Sequence, residues 1–156
     1  MNSKFLYILI LFYSHFILSQ TKAKVIGIKD GDTVVVLLSD NNQKTLRLAE
    51  VDCPEIGQPF GKNAKQFTSD RVFGKWIDFV ETDSDRYGRT IAKIFYDNHK
   101  YLSEELIKAG LGWWYFIYSD NKNLGIFEKV AKQRRFGLWQ DENAISPWDW
   151  RKLKSK

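Results

Sequence analysis

The sequence is poor in the residues that staple or catalyse through sulfur and imidazole. Cys53 is its only cysteine, so no disulfide can form within the chain. There are two histidines, and one of them, His15, lies in an N-terminal stretch unlike the rest. Once that stretch is set aside only His99 remains, which excludes a two-histidine mechanism and a Cys/His zinc cluster. Prolines number three, and no internal repeat or low-complexity linker interrupts the chain. Hydrolytic chemistry on this chain must therefore come from carboxylates, arginines and a hard metal ion.

What is abundant is apolar and aromatic. Of 156 residues 44% are hydrophobic, with eleven Phe, seven Tyr and six Trp. That supports one packed domain and argues against disorder. The formal charge of +5 favours an anionic partner, though a modest basic excess is common.

Residues 1–19 combine Lys4, the apolar run Phe5 to Tyr13 and a small residue, Ser19, ahead of Gln20. This is the pattern of a secretory signal peptide cleaved near Ser19, leaving a domain of residues 20–156 in a secreted or periplasmic protein. The run is short and broken for a spanning helix, which needs about 20 apolar residues. No stable membrane span is expected after cleavage, and an uncleaved membrane anchor is the competing reading.

Strand-like runs are expected at Lys24–Lys29, Thr33–Leu38, Lys44–Val51, Lys75–Glu81 and Arg89–Tyr96. A helix is predicted over Gly61–Val72, with Ala64, Phe67 and Arg71 on one face. A short helix capped by Ser103 should stop at Gly110, and another should run from Leu124 to Phe136, ending at Gly137. The order points to an α+β fold, a five-stranded Greek-key barrel of the oligonucleotide-binding (OB) type, capped by about three helices. Trp113 and Trp114 read as core or barrel-cap residues. Pro147-Trp148-Asp149-Trp150 should pack on the barrel.

Four segments stand out for chemistry: Asp30-Gly31-Asp32-Thr33, Arg47 through Glu55, Asp85-Arg86-Tyr87-Gly88-Arg89, and the aromatic run Trp113–Tyr118. Each alone has a plain structural explanation, since the first and third are also hairpin-turn signatures. Together, from about Lys24 to Trp139, they resemble the staphylococcal nuclease (thermonuclease) family. That resemblance implies a calcium-dependent endonuclease acting on DNA and RNA with low sequence specificity, monomeric and without an obligate protein partner. It makes Asp32, Asp52 and the backbone carbonyl of Cys53 the ligands of one calcium ion. Glu55 is implied as the base, and Arg47 and Arg89 as the grip on the scissile phosphate. Tyr87, Tyr115, Phe116 and Tyr118 are candidates for packing against bases or ribose. The resemblance implies a pocket flanked at Phe116 and Tyr118, and Phe116 stands where the family has tyrosine, so it can stack but not donate a hydrogen bond. The alternative is an OB module of the cell envelope that binds nucleic acid or protein without cutting.

The residue types agree with these roles. Carboxylates and a carbonyl are hard oxygen donors suited to calcium or magnesium. So few protein ligands imply weak binding, with a Kd on the order of 10⁻⁴–10⁻³ M. Arginine forks bind phosphoryl oxygens bidentately. One feature is awkward: in an unbroken strand Arg47 and Asp52 would face opposite ways, so a break or bulge is expected before Asp52, near Pro54.

Overall fold

The computed structural model describes residues 20–155. The leader assigned to residues 1–19 lies outside them. Among the described residues no helix is long and apolar enough to cross a membrane.

Five strands make the barrel: β1 (Thr21–Ile28), β2 (Thr33–Leu37), β3 (Gln43–Leu48), β5 (Trp76–Ser84) and β6 (Thr90–Tyr96), with the two-residue β4 (Val51–Asp52) between β3 and β5 in the chain. They are ordered β3-β2-β1-β5-β6, all neighbours antiparallel, and parallel pairing of β3 with β6 closes the ring. Closure follows from alternation: Val34 and Val36, Leu46 and Leu48, Ile77 and Phe79, Ala92 and Ile94 all point inward and are buried. Their neighbours face out, as Trp76 does at 59% exposure. Fully burying a side chain such as Phe79 contributes about 1.5–3 kcal/mol. β1 begins three residues earlier than expected because β5, far along the chain, pairs with Thr21–Lys24.

Helix α1 (Gly61–Val72) follows the site loop and turns Gly61, Ala64, Thr68 and Val72 inward. That face is rotated from the expected one; Phe67 is only half-buried, and the Arg71 guanidinium lies 3.2 Å over its ring. After the short strand β7 (Lys100–Tyr101), α2 (Leu102–Lys108) buries Leu102, Leu106 and Ile107 against the barrel. Ser103 does not cap it. Ser103 lies inside the first turn and donates from Oγ to the Ala49 carbonyl at 2.8 Å, fastening α2 to the turn after β3.

Past α2 come β8 (Trp113–Trp114), a short 3-10 turn over Phe116–Tyr118, α3 (Lys122–Gln133), a second 3-10 turn over Gly137–Gln140 and α4 (Pro147–Lys154). The OB-type α+β barrel is as expected, with α4 as a helix beyond the three anticipated. α3 stops three residues short of Phe136. Arg135, at φ 53, takes the left-handed position, and Phe136 N–H closes on the Ala131 carbonyl at 3.0 Å.

Gly137, also left-handed at φ +51, serves a close approach. Its backbone packs on that of Gly110, the residue that ends α2 at φ +67, and Leu138 N–H donates to the Gly110 carbonyl at 2.9 Å. A Cβ on Gly110 would stand 2.2 Å from the Phe136 carbonyl oxygen. Gly110→Ala combines a left-handed penalty with overpacking and is expected to cost about 2–4 kcal/mol. A urea unfolding curve should show a lowered midpoint with unchanged slope. An unchanged midpoint would mean that the two backbones do not touch in solution.

Candidate active site

At one end of the barrel three segments converge. The first is the β1–β2 connection, Lys29–Asp32. Asp30 Oδ1 accepts the Asp32 N–H at 3.1 Å, an Asx turn. Thr68 of α1 donates from Oγ1 to the Gly31 carbonyl at 2.6 Å and holds the turn down. Asp32 Oδ2 then accepts the backbone N–H of Cys53 at 2.6 Å, and Oδ1 accepts the Thr33 hydroxyl at 3.3 Å.

The second segment runs from β3 into β4. β3 ends at Leu48, and Glu50 adopts φ 67 before the chain resumes as Val51–Asp52. This reversal resolves the parity conflict. It falls at Ala49–Glu50 rather than near Pro54, and it is held by side chains: Tyr101 Oη donates to Glu50 Oε2 at 2.8 Å and Ser119 Oγ to Oε1 at 3.0 Å. Lys93 completes the charge balance at 3.3 Å.

Asp52 thereby turns back toward Arg47. The Arg47 guanidinium bridges both aspartates, with Nη2 donating to Asp52 Oδ1 at 2.7 Å and Nη1 paired with Asp32 Oδ1. Asp52 is 1% exposed. Burial would lower the pKa of Arg47, but the charges of Asp32 and Asp52 outweigh it and hold the pKa above the ordinary arginine value. Burial raises the Asp52 pKa, against the Arg151 hydrogen bond and the Arg47 charge, which lower it.

The third segment is the loop from Cys53 to Phe60. Cys53 follows Asp52 directly; its side chain is buried in the core, and burial keeps the thiol well above its usual pKa. Glu55 sits at the partly open edge of the site. Its N–H is bound by Gln58 Oε1 at 3.2 Å, while Gln58 Nε2 donates to the Ile145 carbonyl at 2.6 Å. Gly61 lets the helix start pass tightly under this loop, since a Cβ there would meet the Glu55 carbonyl oxygen at 1.8 Å.

The antiparallel pair β4–β8, joining Asp52 with Trp113 and Val51 with Trp114, brings the aromatic run beside the carboxylates. Tyr115 comes next. Burial and the nearby Asp52 charge both raise its pKa, its ring stacks on Trp148 at 5.6 Å and 7°, and Tyr118 meets its edge at 4.8 Å. Phe116 turns the other way, against Trp114 at 6.1 Å. Tyr115, rather than Phe116, is therefore the ring joined to both Tyr118 and the site.

The structure thus gathers Asp32, Arg47, Asp52, Cys53 and Glu55. Arg89 precedes β6, whose Thr90 pairs with Leu46, so its backbone runs beside the strand carrying Arg47. Its Nε donates to Asp85 at 2.6 Å, and the exposed Tyr87 ring lies 5.7 Å from its guanidinium. Neither Arg89 nor Tyr87 touches the carboxylates. Sequence reasoning missed Arg151 of α4, which donates from Nη2 to Asp52 Oδ2 at 2.8 Å and from Nη1 to Glu55 Oε1 at 2.9 Å. Nothing in the local pattern of Arg151 marks it.

Among the described residues no group of three or more His, Cys, Asp or Glu side chains is assembled to hold a metal unaided. Asp32 and Asp52 offer two neighbouring oxygen donors with no nitrogen or sulfur competitor. That set suits a hard divalent cation whose shell is completed by non-protein oxygens, and does not suit zinc or copper.

The closed mixed barrel with helices packed around it defines the class, an OB-type α+β domain. The family model for staphylococcal nuclease homologues matches residues 45–141. An uncharacterized endonuclease of Haemophilus influenzae is 35% identical over 133 residues, spanning 85% of this chain and 74% of that protein. A micrococcal nuclease of Shigella flexneri is 35% identical over 144 residues, 84% of this chain and 80% of that protein. A staphylococcal-like nuclease of Arabidopsis thaliana is 39% identical over 109 residues, covering 70% of this chain and 33% of that protein. The chain belongs to the staphylococcal nuclease homologue family.

Asp30 carries a separable prediction. Burial, then the Asp32 charge, push its pKa up from 3.8 to about 6. A carboxyl with a raised folded-state pKa costs nothing below its unfolded value, and its penalty is complete once pH exceeds the folded one. In chelator, Asp30→Asn should therefore stabilise the fold at pH 8 by roughly 1–3 kcal/mol and leave it unchanged near pH 3. Equal gains at both pH values would place the effect elsewhere.

Proposed function

We propose that this chain is a divalent-cation-dependent nuclease that hydrolyses phosphodiester bonds in DNA and RNA, with calcium as its ion. The observation that carries the reading is the buried Asp32–Arg47–Asp52 bridge at the barrel mouth, beside a half-exposed carboxylate. Membership in a family whose relatives include a micrococcal nuclease supports it. Asp32, Asp52 and the Cys53 carbonyl would hold the ion, which when bound supplies Lewis-acid polarisation of a phosphoryl oxygen.

The chain's own groups do the rest. Glu55 takes the proton of the attacking water, a contribution of about 10²–10⁴-fold. Arg47 is engaged by two carboxylates and largely enclosed, so it acts on a phosphoryl oxygen chiefly through its fixed positive charge behind them. Arg89 is tied to Asp85 through Nε, which fixes the plane of its fork and leaves both terminal nitrogens for substrate. Tyr87, Phe116 and Tyr118 are exposed rings on whose faces bases can stack. None of these contacts reads base identity, in keeping with low sequence specificity.

Mature protein should cut single-stranded DNA in millimolar calcium and lose activity in chelator. Glu55→Gln or Arg89→Ala should each reduce the rate by at least about tenfold. Undiminished cleavage in chelator defeats the proposal; salt-sensitive DNA binding with no cleavage in any divalent ion would favour the non-catalytic OB module. The protein is further proposed to act outside the cytoplasm after loss of residues 1–19. Mass spectrometry of the protein recovered from its native host should then find an N-terminus near Gln20, and an intact Met1 would support an anchored form instead.

A further inference from the structure

The C-terminal helix inserts a cation into the carboxylate cluster. α4 begins at Ser146, whose Oγ accepts the Asp149 N–H, with Pro147 in the first turn. Its position is set by contacts on both sides of the site. Trp148 stacks on Tyr115 and meets the edge of Trp113 at 5.7 Å, and the preceding Ile145 carbonyl is bound by Gln58 of the Glu55 loop. Trp150 lines a small cavity of about 70 Å³ with Pro54, Phe60 and Leu138. The helix is therefore built against the loop, and Arg151 is delivered to one place.

There Arg151 engages both oxygens of Asp52. Oδ2 receives Nη2 at 2.8 Å, and Oδ1 receives Nη1 at 3.3 Å besides the Arg47 bond at 2.7 Å. The same Nη1 reaches Glu55 at 2.9 Å. Asp52 has no water-facing surface to offer an incoming ion. Of its two arginines, Arg47 is enclosed, while the Arg151 side chain is 43% exposed and can swing into solvent. A divalent cation on Asp52 would face Arg151 as a like charge on a shared oxygen. The more exposed partner is the one that yields.

We propose that Arg151 is an exchangeable internal counter-ion: it neutralises the Asp52–Glu55 pair when no divalent cation is present and gives way to that cation. It thereby sets how tightly the cation is held. This rests on the reading that Asp32 and Asp52 take a divalent ion. Exchange also releases Glu55, whose oxygen is otherwise engaged by the guanidinium, so cation arrival and the freeing of Glu55 become one event.

The test uses the chain of residues 20–156 and calcium alone, without nucleic acid, by titration calorimetry and thermal melting. Arg151→Gln should bind calcium about tenfold more tightly, since charge-assisted hydrogen bonds no longer have to be broken. In chelator it should melt lower than the parent, and calcium should raise its melting temperature more. Arg151→Lys, which keeps the charge but not the fork, should lie between and decides the matter if the glutamine variant does not fold. Lys152→Ala removes the next positive charge of α4, away from the carboxylates, and should leave calcium affinity unchanged. Calcium affinity equal to or weaker than the parent's in both Arg151 variants overturns the exchange, as does equal tightening in Lys152→Ala. If the parent cuts DNA with calcium while the variants bind no tighter, the exchange fails and the nuclease reading stands. If the variants bind tighter and no protein cuts, the exchange stands and the nuclease reading fails.

Discussion

Two aspartates buried within reach of one guanidinium set the terms for the rest of the molecule. A carboxylate removed from water without partners costs several kcal/mol, and two side by side repel as well. Arg47 answers both costs, because a planar fork presents a separate nitrogen to each carboxylate in fixed geometry where a lysine has only one. Such a bridge is weak evidence for stability, since its gain roughly offsets the desolvation of its members. Stability comes from the barrel interior and the helix faces packed on it. The charged cluster is something that the hydrophobic fold carries, which argues that it is retained for chemistry.

Carrying it demands contributions from segments far apart in the chain. Asp32 comes from the first hairpin, Arg47 from the end of β3, and Asp52 from a two-residue strand that pairs only with β8. The backbone reversal at Glu50 is where these constraints meet. A left-handed glutamate would be a poor choice on local grounds. Its carboxylate, however, collects hydroxyls from Tyr101 and Ser119 and the Lys93 ammonium, tying the turn to β7, β6 and the residue that follows the aromatic run. Asp52 is aimed by that knot rather than by the strand before it.

What the sequence made legible follows from how local each signal was. Alternating strands, the Gly110 stop and the inward Ile77 and Phe79 are written in neighbouring residues, and they could be read directly. The Glu50 reversal was not readable, because its partners lie 43 to 69 residues away and glutamate carries no turn signature. Ser103 looked like a cap because serine before two glutamates fits that pattern; its hydroxyl instead satisfies a carbonyl on another element. The carboxylates and Arg47 were recognisable only through the joint spacing of several motifs. Tyr115 and Phe116 were both candidates; that Tyr115 meets Tyr118 and Trp148 while Phe116 meets Trp114 depends on which way a 3-10 turn rotates, which residue type does not decide. Arg151 lies 99 residues from Asp52, in a segment whose visible feature was its tryptophans.

Those tryptophans and Arg151 belong to one device. Trp148 and Trp150 are spent on fastening a short helix against the Glu55 loop, and that helix projects its arginine into the carboxylates. The site consequently has two halves of different character. Asp32 and Arg47 sit on a turn and a strand of the barrel, and buried Asp52 sits on β4, held by its pairing with β8 and by the Glu50 turn. Glu55 and Arg151 sit at the solvent edge, on a loop and a terminal helix, where opening a contact leaves the core intact. The proposed hydrolysis would use both properties: donors held fixed so that their alignment costs nothing at the moment of reaction, and a base that can become free. Here the buried half is held by the barrel and the β4–β8 pair, and the exposed half is bridged to it by one guanidinium on the rim.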